Sequence, residues 1–339
     1  MGEFELKINK CPVPLIWLDT SVLINMTKNR LGEAKDSDSY IKEKRLFDFI
    51  YQTVRKEKLI CPQADQLEEV THSFREIQET QSMLSRGIHL RHGDDIKDIQ
   101  ILGAMNTYIN KMKVIEVNYQ DAFENGPIIE LNKHHGMVVD VYGNKSERVL
   151  AKERDRKSQY LEMYNALKKS RREAKITFEE QLEVEFTGEY QAVLKTLRKC
   201  LDFLCGVRFP TEEDLSQITA LTSLLKSWDR LGGNPQGLNG LFSFLTSAEW
   251  RQTPCNDIPA HLFAKLVTRD GNVKPGDPKD VSQLTFALAY CDYVVCDRAM
   301  WNLIMELELD EKYEVRVFTI ANVDEIIHII VNDTIKVSH

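Results

Sequence analysis

No apolar run in this chain reaches the roughly 18 residues that a membrane-crossing helix needs, so a helical membrane protein is not expected. The opening residues, MGEFELKINK, mix both charges and hold no apolar core of the kind a secretory signal carries. Cysteines number seven, an odd and widely scattered set, which argues against a disulfide framework. Internal repeats and low-complexity tracts are also missing, which sets aside solenoids and disordered linkers. Positive charge is in deficit: 44 Lys and Arg against 52 Asp and Glu leave a net charge of −8. That excludes general avidity for nucleic acid but leaves room for a local basic surface. What is present is enough for a core, with 42% hydrophobic residues and a mean hydropathy of −0.35. A cytoplasmic globular protein of one large or two ordinary domains is expected from 339 residues.

The rhythm along the chain is that of an α/β protein at both ends. Residues 15–18 read as a buried strand, followed by a helix from Ser21 to about Lys28. Leu46, Phe47, Ile50 and Val54 share one face of a helix over 40–56, and KLICP (58–62) is a second short strand closed by Pro62. Near the C-terminus, DIPAHLFAKLV and DVSQLTFALAY are helices, DYVVC and YEVRVFTI are strands, and GNVKPGDPKD is a Gly/Pro-rich loop. Strands alternating with helices predict a parallel sheet covered on both faces. Between about 80 and 247 long charged helical stretches dominate, with one expected hairpin near 137–152 turning at Gly143-Asn144. The division is a core in two parts, 1–79 and 248–339, with a mostly helical insertion over 80–247.

Four acids fall where this sheet would end. Asp19 follows the first strand directly, Glu68 lies six residues past Pro62, Asp280 opens a helix after the Gly/Pro loop, and Asp297 follows YVVC. Ligands of an open parallel sheet bind beyond the carboxyl ends of its strands, so adjacent strands would bring all four together. Clustered carboxylates repel one another and need a cation to stay ionised. Oxygen-only ligation suits Mg²⁺ or Mn²⁺, and such a site can activate water against a phosphodiester without a nucleophilic side chain.

LDTSVLI, then an acid after the second strand, then DVSQLTFALAYCDYVVCD resembles the motif set of the PIN-domain nucleases. The first motif is matched by Asp19, Thr20, Ser21, Val22, Leu23 and Ile24, the third by Asp280 with Ala287 and Ala289, the last by Asp297. The resemblance covers roughly 1–78 and 248–335. It implies a PIN-like three-layer α/β/α core and metal-dependent cleavage of single-stranded RNA, with Asp19, Glu68, Asp280 and Asp297 holding one or two ions. Thr20 and Ser21 would orient Asp19 and bound water. The chain departs from the pattern in three places. Cys296 stands where Thr or Ser is usual, one residue closer to the last acid. Glu68 is followed by Glu69, either of which could face the metal. The gap from Glu68 to Asp280 is far longer than in compact members. Many stand-alone microbial members are toxins or defence effectors held in check by a partner, so the resemblance leaves room for an inhibitor or activator protein.

Simpler roles compete with each acid. Asp19 could cap a helix, Asp280 likewise with Asp277 serving as ligand in its place, and Asp297 could be a turn residue. A haloacid dehalogenase phosphatase would need an acid at Ser21, and an integrin-type metal motif is broken by Leu23. Lys274, Lys279 and Arg298 are candidate phosphate contacts. The basic stretch Lys152–Lys175, with Tyr160 and Tyr164 at helical spacing, is either a solvated face or a grip on a nucleic-acid strand. His134-His135 has no partner at ligand spacing, and Cys200, Cys205, Cys291 and Cys296 read as buried thiols rather than a zinc site. Two further functions stay open: a DNA-directed, flap-type nuclease whose insertion guides a strand, and a non-catalytic binding module on the same fold.

Overall fold

A computed structural model describes residues 5–33, 38–70, 73–133 and 146–336, without the side chains of residues 68, 69, 153, 335 and 336. Its strands are β1 (Glu5–Asn9), β2 (Ile16–Leu18), β3 (Val114–Asn118), β4 (Tyr293–Val295) and β5 (Arg316–Phe318). The helices of the first part are α1 (Thr20–Arg30), α2 (Asp38–Arg55), α3 (Phe74–Ser85), α4 (Gly93–Ile109) and α5 (Pro127–Lys133). A helical stretch follows: α6 (Glu147–Glu173), α7 (Phe178–Phe186), α8 (Gly188–Leu204), α9 (Glu212–Arg230), α10 (Leu238–Leu245) and α11 (Ala248–Gln252). The last part holds α12 (Pro254–Thr268), α13 (Asp277–Tyr290), α14 (Arg298–Glu306), α15 (Leu309–Lys312) and α16 (Val323–Lys336).

β2, β4 and β5 pair in parallel, in that order, with Ile16, Trp17 and Leu18 opposite Tyr293, Val294 and Val295. On the other side of β2 the row continues through single bridges, Leu15 to Ile60 and Gln63 to His89, both parallel. Ile16 N–H donates to Ile60 at 2.8 Å, and Leu90 N–H donates to Gln63 at 2.8 Å. The row thus runs 88–90, 60–63, β2, β4, β5, and a second parallel pair joins β1 to β3. Side chains alternate between two cores, as the period of two demands. Leu15, Trp17, Ile60, Val294 and Val317 pack with α4, α12, α13 and α14, while Ile16, Leu18, Val295 and Phe318 pack with α1, α2, α3 and α16. Being covered on both faces explains why these strands are continuous apolar runs. The expected α/β architecture is present, with a helical majority.

Part of the expected insertion belongs to this body. Residues 88–90, α4 and β3 lie within 80–247, yet Ile88, Leu90, Ile96 and Val117 join the first core. β3 finds its partner in β1, over a hundred residues away, and no local pattern signals such a pairing. The added helices α8–α11 form a third core around the fully buried Trp228, sharing Ile101, Ala104 and Met105 of α4. The hairpin near 137–152 is not formed in its described part. Glu147 begins α6, with Ser146 capping the Val149 N–H at 3.4 Å, while residues 134–145, His134 and His135 included, lie outside the described residues. The cysteine reading is corrected as well. Cys291 and Cys296 are buried, but Cys205, just past the end of α8, is exposed and Cys200 half-buried.

Candidate functional site

From β2 the sheet grows one way through 60–63 to 88–90, and from β4 it grows the other way to β5. Between β2 and β4 the connections diverge, and such a switch point leaves a crevice at the carboxyl ends of the strands. Asp19 and Asp297 sit on either side of it. The Asp19 N–H donates to the Val295 carbonyl at 2.9 Å, stitching the end of β2 to the end of β4. Asp280 reaches the same place from the first turn of α13, where a carboxylate also suits the helix dipole. Asp19, Asp280 and Asp297 line one cleft of about 430 Å³, together with Thr20, Ser21, Lys28 and Lys157.

The competing roles of these acids can now be separated. Asp19 occupies the N-cap position of α1 but its side chain does not cap the helix. The residue is only 6% exposed, and Oδ2 accepts a short hydrogen bond from Ser21 Oγ. Asp297 does cap α14, through Oδ1, which accepts from Met300 N–H at 2.8 Å. Asp280 is not a cap, because α13 begins at Asp277 with Gly276 before it. Asp277, the alternative acid, is 2% exposed and does not line the cleft. Its Oδ2 accepts from Lys274 N–H at 2.9 Å and faces Arg269 at 3.9 Å. Burial nevertheless pushes its carboxyl above the usual range, with the Asp297 charge adding to that.

Cys296, between β4 and Asp297, reports the crowding of acids. Burial first, then the charges of Asp19, Asp297 and Asp280, hold its thiol well above the ordinary range. It is thereby held in its protonated, unreactive form.

Thr20 does not orient Asp19 as expected. Its Oγ1 donates instead to the Gln66 carbonyl at 3.4 Å, and Gln66 Nε2 donates to Leu18 O at 3.3 Å. These two bonds tie the 3₁₀ turn Asp65–Glu69 to the end of β2. Glu68 and Glu69 lie on that turn and the next residue, Val70, lines the cleft, but the two glutamate side chains are outside the described residues.

Of the three candidate phosphate contacts, Arg298 follows Asp297 directly in the chain. It lines a neighbouring groove that shares Ser21 and Asp297 with the cleft. Lys279 lines a separate hollow beside Asp65 and Arg91, and Lys274 is exposed on its loop. Lys28 and Lys157 take the expected place. Helical phase could have suggested Lys28, two turns past Ser21 on α1. Lys157 reaches the cleft only through the packing of α6 on α12, for which the sequence holds no local sign.

Among the described residues no three His, Cys, Asp or Glu side chains are grouped as a metal site. The three aspartates line one cleft without closing a three-ligand shell. Their all-oxygen chemistry fits an ion that keeps several waters and is bound through one or two carboxylates plus phosphate oxygens, the habit of Mg²⁺. It does not fit a thiolate- or imidazole-held metal. Compared with known protein families, curated proteins and solved structures, the chain matches none.

Proposed function

We propose that this protein is a PIN-like, Mg²⁺- or Mn²⁺-dependent endoribonuclease that hydrolyses single-stranded RNA at the Asp19–Asp280–Asp297 cleft. The observation carrying this reading is the convergence of three aspartates, from the starts of three different helices, on one cleft at the sheet's switch point. Asp19 is buried there, and its side chain does not cap its own helix. Asp19, Asp280 and Asp297, with Glu68 or Glu69 from the adjoining turn, would hold the ion. The chemistry such an ion supplies when bound is a water acidic enough to attack at neutral pH and relief of charge on the phosphodiester. Ser21 fixes the orientation of Asp19 through its hydroxyl. Lys28 and Lys157 offer the only cationic side chains among the cleft's described lining, and they attract a phosphate backbone to a surface that is otherwise acidic.

The test is digestion of end-labelled single-stranded RNA by wild type, Asp19→Asn and Asp280→Asn, with Mn²⁺, Mg²⁺ or EDTA. Metal-dependent cleavage lost in both variants supports the reading. Cleavage that persists in both, or its absence from folded wild type, sinks it. Single-stranded and flapped DNA run in parallel address the DNA-directed alternative, which is favoured by one observation, the 27-residue helix α6 reaching the cleft through Lys157. A toxin or defence role, with an inhibitor or activator protein as partner, predicts that expressing wild type slows growth more than expressing Asp19→Asn.

A further inference from the structure

Helix α6 is attached to the body by only part of its length. Lys168 is buried and its Nζ donates to the Leu266 carbonyl of α12 at 2.7 Å. One turn earlier, Tyr164 lies parallel to Phe263 of α12, ring centroids 5.6 Å apart and planes at 9°. One further turn back, Tyr160 is 43% exposed, tilted against Tyr164 at 6.5 Å, with the Arg156 guanidinium over its ring at 5.5 Å. Three residues before Tyr160 comes Lys157, in the lining of the acid cleft. Residues 157, 160, 164 and 168 follow the i, i+3, i+4 spacing of one helical stripe. The stripe therefore passes from a buried anchor, through a packed ring, to an exposed ring, and then to a cation in the lining of the acid cleft.

An exposed tyrosine with an arginine over it, one step from a cation at an acid cleft, is a base-and-phosphate arrangement. Stacking on an aromatic ring accepts any base, and an arginine adds cation–π attraction. The axial rise from Lys157 to Tyr160 is about 4.5 Å, short enough for both side chains to reach one nucleotide and its neighbouring phosphate. A base can reach such a ring only when it is free of a duplex stack. We infer that Lys157 and Tyr160 form a nucleotide subsite of the cleft, with Lys157 on a backbone phosphate and Tyr160 stacking the neighbouring base of single-stranded RNA. This rests on the nuclease reading for its location, but not for its test. Tyr164 belongs to the packing of α6 on α12 and is not part of the subsite.

The test is binding without turnover. The full chain in EDTA is titrated into a fluorescein-labelled oligouridine, and separately into a blunt RNA duplex, with fluorescence anisotropy as readout. Tyr160→Ala should weaken oligouridine binding roughly 5- to 150-fold, the range for removing one stacked base, while Tyr160→Phe keeps wild-type affinity. Lys157→Ala should weaken it too and flatten its salt dependence by about 0.7 in log–log slope. Circular dichroism and melting of Tyr160→Ala should match wild type, because its ring is exposed. Equal affinity of wild type and Tyr160→Ala, loss of affinity in Tyr160→Phe, or tighter binding of the duplex would each overturn the subsite, as would no oligouridine binding at all. If Tyr160→Ala loses binding while wild type shows no metal-dependent cleavage, the subsite stands and the nuclease reading falls. If cleavage depends on Asp19 and binding ignores Tyr160, the reverse holds.

Discussion

At the scale of single residues, the two hydroxyls after Asp19 divide the work between them. Ser21 holds the Asp19 carboxylate, whereas Thr20 holds the turn that carries Glu68. Partners that orient a ligating carboxylate typically account for 10- to 100-fold in activity. Ser21→Ala should therefore lower the cleavage rate by about that factor with the melting temperature unchanged, measured on single-stranded RNA with Mn²⁺. An equal loss of stability would make Ser21 a structural residue instead. Far from the cleft, Asp214 is a carboxylate with a different task. It is buried, accepts from Lys199 and Arg208, and closes a reciprocal capping box with Thr211 at the start of α9. The hydrogen bonds from Lys199, Thr211 and Arg208 hold its carboxyl well below the ordinary 3.8. Its folded pKa is depressed, so its stabilisation is complete above the unfolded pKa, near 4, and is lost as pH falls towards the folded one. Urea midpoints of wild type and Asp214→Asn should thus differ at pH 7 and converge below pH 4. A gap that stays constant from pH 7 to pH 3 would show that the charge of Asp214 is not what stabilises the turn.

Whole elements were legible wherever their burial was two-sided or their caps were local. The runs at 15–18 and 293–295 had to be strands beneath two helical layers, and the acid at the end of each, Asp19 and Asp297, could be seen for the same reason. Three features escaped because their partners are not local in the chain. β1 is a half-exposed strand whose only ladder among the described residues is to β3, the 88–90 segment is held by two backbone bonds to Gln63, and Lys157 meets the aspartates only after α6 has docked on α12. Spacing can show that a carboxylate follows a strand, but not which distant helix comes to lie beside it. The helical lobe illustrates the same limit at the α9–α10 connection. Trp228 Nε1 donates to the Pro235 carbonyl at 3.0 Å, and Gly240 packs directly beneath both. A Cβ at Gly240 would stand 1.8 Å from the Pro235 oxygen and 2.7 Å from Trp228 Nε1. Backbone and a fully buried indole leave it no space, so Gly240→Ala should destabilise by about 3 kcal/mol, the upper part of the usual cost of overpacking. Urea unfolding followed by tryptophan fluorescence measures this. A change below about 0.5 kcal/mol would mean that the α9–α10 turn opens at little cost, against the tight packing seen here.

Across the whole molecule, two features meet at the cleft: a chain of net charge −8 and a sheet whose switch point gathers carboxylates. Without a bound metal ion, Asp19, Asp280 and Asp297 raise each other's electrostatic energy. A cation that binds only the folded cleft stabilises the whole fold by mass action, about 2.7 kcal/mol at a hundred times its dissociation constant. Unfolding entropy near 2.1 cal/mol/K per residue, over 339 residues, comes to about 0.7 kcal/mol/K. Saturating Mn²⁺ should accordingly raise the melting temperature of wild type by roughly 4 °C. Asp19→Asn removes one of the mutually repelling charges, so its metal-free form should melt at or above the metal-free wild type and should gain little from Mn²⁺. This signature separates a metal cleft from a merely structural cluster, because a structural Asp19 would lower stability when neutralised, whether or not metal is added. A wild type indifferent to Mn²⁺, or an Asp19→Asn protein stabilised as much as wild type, would remove the metal from this cleft and with it the hydrolytic chemistry proposed there.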